Sequence, residues 1–168
     1  MMIGVEQLVL FKKAKLDKAK TAQAVKDFFT EDFGHYLNLA NKHLSDISSP
    51  TLDPNNVGGH DGLNHQDERM TANLDAQACV LAVDHTISSC SHISGIIIYL
   101  YFIEHWSNDR IRSKLGYQST RFNEVKNDAC VEFAERFDFW RKEDGSSIED
   151  LQVFESLETA EEISKSGH

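Results

Sequence analysis

From Val5 to Phe29 the apolar residues Val5, Leu8, Val9, Leu16, Ala19, Ala22, Val25 and Phe29 recur at steps of about three and four, with Lys12, Lys13, Lys15, Lys18 and Lys20 between them. One apolar face among lysines predicts a basic amphipathic helix. Thr30 reads as a break and as the N-cap of a second helix, with Glu31 and Asp32 in its first turn and Tyr36, Leu37, Ala40 and Leu44 inward, stopping near Ser45. Residues 46–69 hold both prolines and the Gly58–Gly59 pair, which predicts a long mobile loop. Helical spacing resumes with Met70, Leu74, Ala78, Leu81 and Ile87, then gives way to the dense run "ISGIIIYLYFI" from Ile93 to Ile103. Periodicity does not separate a buried strand from a buried helix there. The pattern that follows does, because it needs a third helix behind it to close a core.

That pattern is "WSNDRIRSKLGYQSTRFNEVKNDACVEFAERF", residues 106–137. Ser107 is placed to cap a short helix with Ile111 and Leu115 inward, and Gly116 stands where a left-handed terminating residue is wanted. Ser119 or Thr120 is placed to cap a second helix, whose apolar residues Phe122, Val125, Ala129, Phe133, Phe137 and Trp140 form one stripe. Its opposite face offers Gln118, Ser119, Thr120, Arg121, Asn123, Glu124 and Asn127, side chains able to hydrogen-bond base edges or phosphates. Arg110, Arg112 and Lys114 on the preceding helix suit phosphate contact, as does the basic first helix if it packs alongside. Lys126 is expected to lay its stem on the core and carry its charge outward to the same interface. The expectation is a helix-turn-helix from about Asn108 to Arg136 that reads double-stranded DNA.

Few prolines and long Ala-, Leu-, Lys- and Glu-containing stretches point to an all-α fold. A net charge of -10 argues against nucleic acid until it is mapped along the chain. Residues 1–25 carry five basic and two acidic side chains; residues 26–104 three and eleven; residues 105–142 eight and six; residues 143–168 one and eight. The acid therefore lies mainly in the middle and the tail, and the motif is mildly basic. Dimerisation would double its phosphate contacts. The tail places Ile148, Leu151, Phe154, Leu157 and Ile163 among its acids, the pattern of an amphipathic helix that folds onto the domain, contacts RNA polymerase or shields the basic surface.

Other chemistry is weak. Cys79, Cys90 and Cys130 have no metal-ligand spacing and read as small buried hydrophobes in a reducing compartment. His60 and His65 lack partners for a tetrahedral zinc site. Asp84, His85, Ser88 and Ser89 lack the nucleophile elbow of a hydrolase. Neither a metal, a cofactor nor enzymatic activity is expected. The first residues have lysines after the apolar stretch, the wrong order for a signal peptide, and the 93–103 run is shorter than the ~20 residues that cross a bilayer. A cytoplasmic protein with no membrane contact is expected.

The stretch "NDRIRSKLGYQSTRFNEVKNDACVEFAERF" resembles the C-terminal segment of the ArpU family of phage transcriptional regulators. There a helix ends in Leu-Gly-Tyr, as at Leu115, Gly116 and Tyr117, and a polar run leads to positions matched by Lys126, Ala129, Phe133, Ala134 and Glu135. "IIIYLYFIEHWSNDRI" resembles that family's apolar helix, and Ser49-Pro50 fits its loop, so the likeness spans roughly residues 20–140. It implies a fold like the fourth region of bacterial sigma factors, activation of late phage packaging or lysis genes, and promoter DNA and host RNA polymerase as partners. The lysine-rich start, the acidic end, Asn108 and Gln118 depart from the family pattern. The organisation expected is N-terminal helices over 1–45, a loop over 46–69, a DNA-binding domain over 70–142 and an acidic tail over 143–168. Two other readings stay open: a DNA-packaging protein such as a terminase small subunit, and a polymerase-binding adaptor that does not touch DNA.

Overall fold

A computed structural model describes residues 15–50 and 71–155, without the side chains of Thr71 and Ala72. The fold is all-α, as expected, and no helix among the described residues is long and apolar enough to cross a membrane. Residues 51–69 of the expected loop, with His60 and His65, Met70 of the helical pattern after it, and the tail beyond residue 155 lie outside the described residues.

The first described helix, α1 (Lys18–Asp27), follows a non-helical stretch at 15–17, so the run expected from Val5 to Phe29 is not one helix there, and its part before residue 15 lies outside the described residues. Asp17 accepts a hydrogen bond from the Lys20 amide at 3.0 Å and so fixes the start, while Leu16 before it is paired with a distant segment. Thr30 is not a break. A π-helical turn, Phe28–Asp32, carries the chain into α2 (Phe33–Leu39), and the Thr30 hydroxyl donates to the Lys26 carbonyl at 2.7 Å. The inserted residue of a π turn rotates the helix face. Phe28 and Phe33 both reach the core as a result. α2 then stops at Leu39, short of Ser45, with Asn41 left-handed at φ 54° and a 3-10 turn at Leu44–Asp46.

The helix α3 (Thr71–Ser89) buries Ala76, Cys79, Val80, Ala82, Val83 and Ile87. The expected stripe is off register, since Leu74 is 49 % exposed and Ala78 and Leu81 are only half-buried. α3 lies against both α2 and the long helix α6 (Ser119–Glu143), so it needs a broad face of small residues rather than a narrow stripe of large ones. The run at 93–103 is helical: α4 (His92–Ile98) continues as a second π turn, Tyr99–Ile103. α6 is the central element, packed on α1, α3 and α4.

Aromatic rings join these elements. Phe29 of the first π turn stacks on Phe102 of the second, with centroids 4.4 Å apart and planes 15° apart. Phe133 and Phe137 of α6 stack at 5.5 Å, and Phe28 and Phe29 touch them at 5.6 and 5.1 Å. Each fully buried ring contributes about 1.5–3 kcal/mol from burial. The two π turns therefore face each other across the core of the bundle.

The tail is the largest correction. Gly145, at φ 78°, ends α6, and residues 146–153 have no regular secondary structure, where an amphipathic helix is expected. Ser147 donates from its amide and hydroxyl to the two carboxylate oxygens of Asp75, both at 2.7 Å. Phe154 then forms an antiparallel bridge with Leu16, with Asp17 donating to Val153 and Glu155 to Lys15 at 2.8 Å each. Ile148 and Leu151 still pack on the core, so the apolar positions of the pattern are real although the helix is not.

Candidate nucleic-acid interface

The helix α5 (Asn108–Leu115) and α6 are joined by a tight turn built as its residues dictate. The Ser107 hydroxyl accepts from the Arg110 amide at 3.2 Å, which caps α5. Gly116 ends it in the left-handed region, at φ 77° and ψ 25°, and its amide and that of Tyr117 both return to the Arg112 carbonyl. Ile111 is fully buried and Leu115 half-buried.

The N-cap of α6 is Gln118, not Ser119 or Thr120. Its carbonyl accepts from the Phe122 amide at 2.8 Å, but no side chain caps the helix. Ser119 and Thr120 are instead its first two residues, both exposed. The first amides of α6 thus keep their hydrogen-bonding capacity at the positive end of the helix dipole, a place that favours anions.

Gln118, Ser119, Thr120, Arg121, Asn123, Glu124 and Asn127 are all exposed, while Phe122 and Ala129 on the other side are buried. Thr120, Asn123, Glu124 and Asn127 follow helical spacing and share one face. Arg121 pairs with Glu124 at 2.9 Å, with side chains 62 % and 58 % exposed. Such an exposed pair stabilises little and is readily exchanged for another partner. Asn127 accepts from Lys26 of α1 at 3.1 Å, which places a lysine of the first helix at the end of this face. Lys18 and Lys20 are exposed on the same helix, whereas Lys12 and Lys13 lie outside the described residues.

The supporting cations divide. Arg110 and Lys114 are exposed and flank Trp106, 3.6 and 5.3 Å from its ring centroid. Arg112 instead turns inward, where its Nη1 donates to the Tyr117 carbonyl at 3.3 Å and its Nη2 lies 3.7 Å from Asp109. It pins the turn from within, and its Nε is buried without a partner.

Lys126 does not project outward. It is 7 % exposed, its ammonium sits 3.3 Å from the centroid of Tyr101, and it donates to Asn108 Oδ1 at 2.9 Å. Position 126 lies between the buried Phe122 and Cys130 in helical register, so its stem has no route to solvent. Burial, then the charge of Lys26, lowers its pKa to about 8. Lys126 therefore fixes the start of α5 to α6 and leaves the set of open contact residues.

Three further residues adjoin or support this face that the sequence does not single out by number. Trp106 is the platform for Arg110 and Lys114, and the available signal is the i, i+4 spacing of those cations just after a tryptophan. Lys26 and Tyr101 come from distant segments and carry no local signal.

The remaining candidates have structural roles. Asp84 is buried and accepts from the Ser48 amide at 2.8 Å; His85 pairs with Asp144 at 2.8 Å; Ser89 accepts from the Trp140 indole at 3.0 Å. They diverge rather than assembling a catalytic group. Cys79 and Cys130 are buried and Cys90 half-buried; burial raises their thiols to about 12, 11 and 12, so each stays protonated at neutral pH. No cluster of metal-ligating side chains occurs among the described residues. Compared with protein-family models, curated proteins and solved structures, the chain matches none of them.

Proposed function

We propose that this protein is a sequence-specific DNA-binding regulator of transcription that reads the major groove with the amino-terminal turns of α6. The observation that carries the reading is one continuous exposed face, Thr120, Arg121, Asn123, Glu124 and Asn127, on a helix whose opposite face is core, entered through the Gly116 turn. Arginine suits guanine O6 and N7, asparagine suits adenine N6 and N7, and glutamate accepts from cytosine N4. Arg110 and Lys114, held against Trp106, serve as phosphate contacts, and the uncapped amides of α6 add an anion seat. The resemblance to ArpU regulators makes late phage promoters the expected targets and host RNA polymerase the expected partner. A cytoplasmic, non-enzymatic role follows from the same reading.

The test is selection of bound sequences from a random duplex library, followed by titration of the winning site with Arg121→Ala and Asn123→Ala. Each is expected to lose about 1–3 kcal/mol and to relax specificity at one base position. Arg110→Ala and Lys114→Ala should weaken all sequences alike and reduce the salt slope by about 1 each. If no sequence is enriched, or if both α6 variants keep full affinity and specificity, the face does not read DNA.

A further inference from the structure

Beside the turn, a cavity of about 370 Å³ opens between α4 with its π turn, Trp106 and the last turn of α5. Its walls are Ile96, Leu100, Trp106 and Leu115, and Pro50 closes another side. The volume falls in the range of sites that hold small organic molecules. The Tyr99 hydroxyl is committed to Glu104 at 2.9 Å, so the Tyr99 wall presents mainly its ring. Charge enters through Lys114, which lines the cavity, and Arg110 lies over the same Trp106 ring. Neither cation is ion-paired with a carboxylate among the described residues.

We infer that this cavity binds a small amphiphilic monocarboxylate, its hydrocarbon part among Ile96, Leu100 and Leu115 and its carboxylate at Lys114. The apolar walls select a hydrocarbon body because enclosing it removes apolar surface from water. Lys114 in the lining, with Arg110 beside it on Trp106, selects the sign of the head group, since an anion gains a charge-assisted contact there and a cation is repelled. Trp106 links the two requirements, since it both lines the cavity and carries the cations on its ring. The site shares Lys114 and Trp106 with the proposed phosphate contacts but no residue of the exposed α6 face, so the titration is run without DNA.

The chain has two tryptophans, Trp106 and Trp140, so Trp140→Phe leaves Trp106 as the single indole reporter. Full-length Trp140→Phe protein is titrated with decanoate, decanol and decyltrimethylammonium while Trp106 emission is recorded. Decanoate is expected to saturate the signal at one equivalent and to bind more tightly than the alcohol or the cation. Lys114→Gln should weaken decanoate about fivefold, the fold-change of a partly exposed ion pair, and leave decanol unchanged. Leu115→Phe should abolish both; if it does not fold, Lys114→Gln decides alone, since that side chain is exposed. No response to decanoate up to about 1 mM overturns the assignment. So does an unchanged ratio of decanoate to decanol affinity in Lys114→Gln, or decyltrimethylammonium binding as tightly as decanoate.

Discussion

Replacing Lys126 by Met should make this protein more stable, and the gain should vanish in alkali. Lys126 is a cation 7 % exposed, disfavoured by burial and by the charge of Lys26, with Tyr101, Asn108 and the Cys130 thiol on its favourable side. Its pKa is about 8 in the folded chain against an ordinary 10.5. That difference corresponds to roughly 3 kcal/mol of stability withheld by keeping the ammonium charged inside the fold. The Tyr101 ring offsets about 0.5–2 kcal/mol of it. Methionine keeps the length of the stem, has no charge to desolvate and packs well on an aromatic ring. A gain of about 1–3 kcal/mol at pH 7 is therefore expected, near 2–4 °C in Tm for each kcal/mol in a chain of this size. Because the unfolded lysine holds its proton up to the ordinary 10.5 and the folded one releases it near 8, the wild type should gain stability as pH rises between those values. Urea unfolding of both proteins from pH 6.5 to 10.5 isolates this group, since every other titration is common to the pair. A Lys126→Met protein less stable than the wild type at pH 7, or a difference between the two that does not shrink through the pH 8 to 10.5 window, refutes a strained Lys126 charge.

Gly116→Ala should cost about 1 kcal/mol and Gly116→Asn less, because a Cβ there meets nothing within 4 Å and only the left-handed φ of 77° is penalised; thermal unfolding ranks the two. Glu132 accepts from the Ser91 amide and hydroxyl at 2.6 and 2.7 Å and pairs with Arg136, and these contacts outweigh burial and hold its pKa at about 2. Its stabilisation is complete above the ordinary 4.5 and lost as pH falls through about 2, so Glu132→Gln should destabilise by about 1–2 kcal/mol at pH 7 and flatten acid unfolding across that window. Truncation after Gly145 removes the Ser147–Asp75 bonds, the pairing around Leu16 and the packed Ile148 and Leu151, and should cost about 2–4 kcal/mol by denaturant titration.

What is legible in the chain is what is decided locally. Ser107, Ile111, Gly116 and the stripe from Phe122 to Phe137 each report on a neighbour within a turn, and α5, the turn and α6 form as those residues dictate. The positions that mislead depend on partners far along the chain. Lys126 reads as outward because its own helix gives it an edge position, and only Tyr101 and Asn108 reveal that the edge is covered. The large residues of α3 suggest one buried stripe, but two neighbouring helices select the small face. Residues 146–153 carry a helix-like apolar spacing, and the contacts that hold them out of a helix come from Asp75 and from the segment at Leu16. The open polar face of α6 is legible, whereas its Lys26 neighbour comes only with the packing of α1.

The bridge between Leu16 and Phe154 turns the described chain into a nearly closed circuit. Loop-closure entropy grows only with the logarithm of length, but these two short segments have little pairing of their own to offset it. They meet because α1 and α6 already hold them at the same end of the bundle. The bridge is thus a clasp fastened after the helices assemble, and its amides, Asp17 and Glu155, should be the first to exchange with solvent when the assembly loosens.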